Sequence, residues 1–156
     1  MDAFSAIGPW IAPSGETIDS LPRYLAGKRL GLYFSAGWCP LCTRFEKRLL
    51  KFRDECEEQR RPIELLYVPS DHSEEDALAR AQSLQCATIR YDMAAALKWQ
   101  YKVWSGSEVD VLGKARRSGV PAISVITPRM EELAFVDAEA SGPKALKKWD
   151  LQKGVF

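Results

Sequence analysis

Apolar and polar positions along this chain fall into short alternating elements. "RLGLYFSA" (29–36) and "PIELLYV" (62–68) are apolar runs of strand length, the first stopped by Gly37, and both read as buried strands. Between them, from Pro40 to about Gln59, Leu41, Phe45, Leu49, Phe52 and Cys56 recur at steps of four, four, three and four, the stripe of an amphipathic helix. Ser73 followed by Asp76 is a capping-box-like start for a helix through about Leu84, and "CATIRY" (86–91) reads as a short strand. Ala94, Leu97, Tyr101 and Trp104 predict a helix closed by Ser105-Gly106; Ser107 with Asp110 predicts a second one carrying Leu112 and Ala115 toward Arg117. "AISVIT" (122–127) and "ELAFVD" (132–137) form a hairpin pattern turning at Pro128-Arg129, and "GPKALKKW" (142–149) is a last helix with Pro143 in its first turn. Toward the amino terminus, two apolar pieces flank Pro13-Ser14-Gly15, the pattern of a small β-arm within residues 1–19. Strands alternating with helices before a closing hairpin predict an α/β fold, a central mixed sheet flanked by helices on both faces. No repeat, low-complexity tract or linker divides residues 1–156, so one domain is expected.

Composition narrows the function classes. Charge nearly cancels, with 22 Lys+Arg against 21 Asp+Glu, which leaves no broad cationic field for nucleic acid or anionic lipid. The first twenty residues show no basic region followed by an apolar core and a small-residue cleavage site, and no apolar run approaches the ~20 residues that cross a bilayer. The chain is therefore expected in the cytoplasm or the nucleus, without nucleic-acid or membrane partners, and as a monomer. Its four cysteines, in a compartment that keeps thiols reduced, point to catalysis or metal rather than to a disulfide framework.

"WCPLC" (38–42) sits where the first strand gives way to the amphipathic helix. A dithiol that exchanges with other disulfides needs one thiolate and a second thiol within reach to release it, and Cys-x-x-Cys at a helix start supplies both. Cys39 lies at the positive end of the helix dipole beside unpaired N–H groups, and Cys42 lies about one turn on, close enough to close a small ring. Cys39 reads as the nucleophile and Cys42 as the resolver. Pro40 suits the first turn, where its missing N–H costs nothing, and Trp38 offers an aromatic wall for the thiolate and for a substrate chain. Zinc ribbons begin the same way, but a zinc site needs two more ligands; Cys56 and Cys86 are far apart without a second knuckle, and the single His72 lies in a polar loop. No metal is expected. Cys56 shares the helix stripe and Cys86 opens a strand, so both are assigned to the core. Trp99, Tyr101 and Trp104, at helical spacing, are assigned to packing, Glu74, Glu75 and Asp76 to a solvated helix start, and His72 to the surface.

Pro121 directly precedes an apolar strand, where a proline marks the first position and the peptide bond before it is a candidate for cis. With "WCPLC" and "GVPAI" together, the sequence resembles the thioredoxin superfamily. "LYFSAGWCPLC" and "ELLYVPSDHSEEDALARA" are similar to its tryparedoxin and nucleoredoxin branch in particular, and the likeness extends over roughly residues 5 to 150. The resemblance implies a thioredoxin-like fold and a loop of Gly119, Val120 and Pro121 that packs against the cysteines and offers backbone to an extended substrate. Leu41 stands where those proteins commonly have a second proline. Tyr33 stands where thioredoxins proper keep a buried aspartate that takes the proton of the resolving cysteine, so that acceptor is left unassigned. The helices of 93–117 form an insertion before the proline loop.

Two functions follow. One is a thiol–disulfide oxidoreductase, reducing disulfides in partner proteins through a redox-active Cys39–Cys42 disulfide, restored by an external thiol reductant and needing no other cofactor. The other is a redox-sensing binding module on the same scaffold, with little turnover.

Overall fold

The computed structural model describes residues 8–150. At its centre lies β2 (Arg29–Ser35), all seven of whose residues are buried. Its apolar run lacks a polar face because both faces are covered: Leu30, Leu32 and Phe34 enter one core, while Tyr33 enters the other. β3 (Ile63–Pro69) pairs with it in parallel and β5 (Ala122–Ile126) antiparallel. Outside these lie β4 (Ala87–Ile89), parallel to β3, then β1 (Trp10–Ile11), antiparallel to β4, and on the other edge β6 (Glu132–Val136), antiparallel to β5. The six-stranded order is β1-β4-β3-β2-β5-β6.

Helices close both faces. α1 (Leu21–Leu25) contributes Leu21 and Leu25 to the first core, and α4 (Ala94–Tyr101) contributes Leu97 and Tyr101. Against the other face pack Phe45, Leu49 and Phe52 of α2 (Pro40–Glu58), Ala81 of α3 (Glu74–Ser83) and Trp149 of α7 (Lys147–Asp150). Gly31 of β2 permits that last contact: a Cβ there would lie 2.5 Å from the Trp149 ring and 2.8 Å from Ile123. This is the α/β architecture with a mixed sheet that the sequence pattern predicts.

Several local expectations need correction. α4 stops at Tyr101, where Lys102 turns left-handed at φ 59°, rather than running to Ser105-Gly106. The next helical segment is capped by Ser105 with Glu108, two residues before the expected pair, and its α5 (Val109–Leu112) ends well short of Arg117. Glu108 wins over Asp110 because its carboxylate closes the capping box and also meets the buried Lys98 at 2.5 Å. Trp99 is 53% exposed instead of core, stacked on the buried Trp104 at 6.0 Å with Lys102 Nζ over its ring at 3.4 Å. Leu41 is 39% exposed, because the inward positions of its turn are taken by the two cysteines. The last helix is broken into α6 (Ala138–Ser141), a 3-10 turn over Gly142–Leu146 and α7. α1 is not anticipated by the pattern. The amino-terminal arm turns at Ala12–Glu16 and adds β1 to the sheet, while its expected residues 1–7 lie outside the described residues.

Candidate active site

β2 ends at Ser35 and the chain turns through Ala36, Gly37 and Trp38 into α2, with Cys39 as the capping residue before Pro40. Cys39 is extended, at φ −87° and ψ 112°, and its Sγ accepts from the Cys42 N–H at 3.2 Å. The first N–H groups of a helix have no partner within it, and one of them is here directed at sulfur. Pro40 has no N–H to leave unsatisfied at that position. Cys39 retains 7% exposure and Cys42 none, so the two neighbouring cysteines are both buried, the second completely.

The turn is anchored by the loop that follows β3. Asp71 accepts from Gly37 N–H at 2.9 Å and from the Tyr67 hydroxyl at 2.6 Å, and Trp38 donates its indole N–H to the Ser70 carbonyl at 2.9 Å. Trp38 is 42% exposed and stacks on His72 with ring centroids 5.1 Å apart, so the surface histidine forms part of the rim of the site. A shallow cleft bounded by Trp38, Asp71, His72, Asp76 and Arg80 opens beside it.

From the far side comes the segment Gly119, Val120 and Pro121, all buried. The Val120–Pro121 bond is cis, and the Val120 carbonyl lies 4.0 Å from Cys39 Sγ. The structure thus places the proline segment against Cys39 through Val120. Gly119 is held by its N–H, which is bonded to the Glu139 carboxylate at 3.0 Å.

Behind Cys42 lies a buried polar cluster that the sequence reading missed. Glu46, one turn along α2 and 3% exposed, accepts from the Tyr33 hydroxyl at 2.8 Å and from the Ser35 hydroxyl at 3.2 Å, and forms an ion pair with Arg80 of α3. Burial first, and then the hydrogen bond with Cys39, push the Cys42 thiol up to about 12, while hydrogen bonds with Ser35 and the Ala36 backbone pull it down. Burial also holds the Tyr33 hydroxyl well above its ordinary range. The readable signal was spacing: Glu46 stands four residues after Cys42, on the same face of an otherwise apolar stripe.

Cys56 and Cys86 lie in the same core as Tyr33. Cys56 Sγ accepts from Arg29 at 3.4 Å, and Cys86 lies 3.9 Å from Arg53. Burial raises both thiols, that of Cys86 to about 12. Among the described residues, no group of three or more His, Cys, Asp or Glu is arranged to hold a metal.

A sequence model of the family described as Thioredoxin-like matches residues 27–132. Nucleoredoxin of Mus musculus is 34% identical over 68 residues, which are 44% of this chain and 15% of that protein. Probable nucleoredoxin 1 of Arabidopsis thaliana is 37% identical over 51 residues, 33% of this chain and 9% of that one. The matches therefore span only a small part of these relatives' length. Among solved structures, tryparedoxin II from C. fasciculata superposes with a TM-score of 0.66 at 21% identity, covering 94% of this chain and 88% of that one. Thioredoxin from Wuchereria bancrofti superposes with a TM-score of 0.63 at 26% identity, covering 90% and 92%.

Proposed function

Because the chain belongs to the thioredoxin-like family, on its tryparedoxin- and nucleoredoxin-like side, we propose that it is a thiol–disulfide oxidoreductase that reduces disulfides in partner proteins. One observation carries this reading: Cys39 Sγ accepts the N–H of Cys42 at 3.2 Å, and Cys39 keeps 7% exposure as a residue while Cys42 keeps none, which suits attack by the first cysteine and release by the second.

In the reduced protein, Cys39 as thiolate attacks one sulfur of a substrate disulfide. A bond forms between Cys39 and that sulfur, the substrate S–S bond breaks, and the other sulfur leaves as a thiolate. Cys42 then attacks Cys39 Sγ; the Cys39–Cys42 disulfide forms and the second substrate sulfur departs. Two electrons have passed from the dithiol to the substrate, and an external thiol returns them. Before the second attack the Cys42 proton must leave a site closed to solvent. Ser35 and Glu46 supply the route: the thiol proton passes to the Ser35 oxygen as the Ser35 proton passes to the Glu46 carboxylate. The exposed face of Trp38 and the backbone of Val120 receive the substrate chain on either side of Cys39. The cycle suits a reducing compartment such as the cytoplasm or nucleus, and no described helix is long and apolar enough to cross a membrane.

Reduction of insulin by dithiothreitol tests the reading. The wild-type protein is expected to accelerate it catalytically. A dithiol that oxidises and re-reduces without accelerating it would instead establish the redox-sensing binding module.

A further inference from the structure

The segment before β5 is tied down almost completely by the chain's own groups. Arg117 and Ser118 donate their N–H groups to the Lys102 carbonyl at 2.7 and 3.4 Å, and Trp104 N–H donates to the Ser118 carbonyl at 3.4 Å. The Ser118 hydroxyl donates to the Gly119 carbonyl at 2.8 Å. Glu139 holds the other end twice. Its carboxylate accepts from Gly119 N–H at 3.0 Å, and its own N–H donates to the Pro121 carbonyl at 2.9 Å. Among the described residues from Arg117 to Pro121, Val120 alone makes no hydrogen bond to the rest of the chain other than the Cys39 contact at its carbonyl.

The fold explains why Glu139 reaches this place. β6 runs antiparallel to β5 with Val136 opposite Ile123, so the chain leaving β6 passes alongside the residues that lead into β5. α6 begins there, its Ala138 buried in the core, and Glu139 follows with its side chain over Gly119. The absence of a side chain at position 119 leaves room for this contact. A Cβ on Gly119 would run into the Glu139 carboxylate and the Arg116 guanidinium, which is itself held by the Trp104 carbonyl at 2.8 Å.

We propose that Glu139 is a positioning residue for substrate docking: by bonding Gly119 N–H and Pro121 C=O on either side of Val120, it fixes the Val120 backbone, whose N–H is unpaired and whose carbonyl touches only Cys39, and denies a substrate chain any other register. This inference rests on the oxidoreductase reading. It adds that the protein selects disulfides carried on an extended peptide, which can pair with Val120, over small disulfides that cannot. A backbone hydrogen bond contributes only modestly when a substrate can choose among several registers, and more when its partner is held in place in advance.

Glu139→Ala and Glu139→Gln test it, with insulin and bis(2-hydroxyethyl) disulfide as substrates and dithiothreitol as reductant. Glu139→Ala should raise KM for insulin ~10-fold with kcat within about threefold, and the small disulfide should be reduced at a rate within about threefold of wild type. Glu139→Gln keeps an oxygen that can accept from Gly119 and should restore most of the insulin KM. In parallel, amide hydrogen exchange should show Gly119 exchanging faster in Glu139→Ala than in Glu139→Gln. Equal losses on both substrates, no change on either, or unaltered exchange at Gly119 would overturn the proposal. A wild-type protein that reduces neither disulfide would overturn the oxidoreductase reading itself, and the exchange measurement would still report on the clamp.

Discussion

The Tyr33 hydroxyl donates to Glu46 Oε1 at 2.8 Å, joining the central strand to the helix that carries Cys42 in a region closed to water. A buried carboxylate is costly to keep unless it is paired and hydrogen-bonded, and Glu46 has Tyr33, Ser35 and Arg80 for that purpose. In the proposed cycle, its position makes it the proton acceptor for Cys42 rather than for Cys39.

Glu46→Gln should therefore slow the second step and not the first. Alkylation of Cys39 by iodoacetamide should proceed at the wild-type rate, whereas release of substrate from a preformed Cys39 mixed disulfide should slow at least ~10-fold near neutral pH. The deficit should narrow as pH rises, because hydroxide can replace the missing base. Uniform slowing at every pH would show that Glu46 only supports the fold.

Cys56 and Cys86 should be dispensable for chemistry. Each is buried beside an arginine, and burial raises both thiols, so little thiolate is present near neutral pH. Cys56→Ala and Cys86→Ala should cost about 1–2 kcal/mol of stability through lost packing, with insulin turnover per folded molecule unchanged. Chemical denaturation and the turnover assay together check this.

Gly31→Ala should destabilise the protein by about 1–3 kcal/mol, because the added methyl meets the Trp149 ring and Ile123 in a packed core. Urea melts would show it, and Trp149→Phe, which leaves more room, should recover part of the loss in the double variant.

The acid limb of stability should depend on Glu108. Burial pushes its carboxyl up, but the hydrogen bond from Lys98, attraction to Lys98 and the Ser105 N–H outweigh this and hold it below the ordinary value. An unfolded glutamate titrates near ~4.3, so the stabilisation is fully present above that pH and is lost as pH falls through the lower folded value. Glu108→Gln should flatten that part of the stability profile, measured by thermal unfolding across the acid range.

Much of this molecule was legible because its determinants are local. The strands at 29–35 and 63–69 announce themselves as largely apolar runs of strand length, α2 by its stripe, and the dithiol by its spacing at a strand-to-helix junction. What escaped depends on contacts made at a distance. Ser105 rather than Ser107 caps the helical segment because its partner Glu108 also meets Lys98, a pairing that one-dimensional spacing does not show. Trp99 is exposed because it stands two residues from both Leu97 and Tyr101, on the helix face opposite the one those residues bury. Glu46 looked like one more charged helix position until the fold enclosed it between Tyr33, Ser35 and Arg80, and Glu139 reached Gly119 only through the pairing of β5 with β6.

The division of labour between the two sulfurs is tested most directly by trapping. Cys42→Ser, incubated with insulin and analysed by mass spectrometry after proteolysis, should accumulate a mixed disulfide joined through Cys39, since attack is intact and release is lost. Cys39→Ser should accumulate none. An adduct through Cys42, Cys56 or Cys86, or no adduct with Cys39 present and Cys42 absent, would contradict the account.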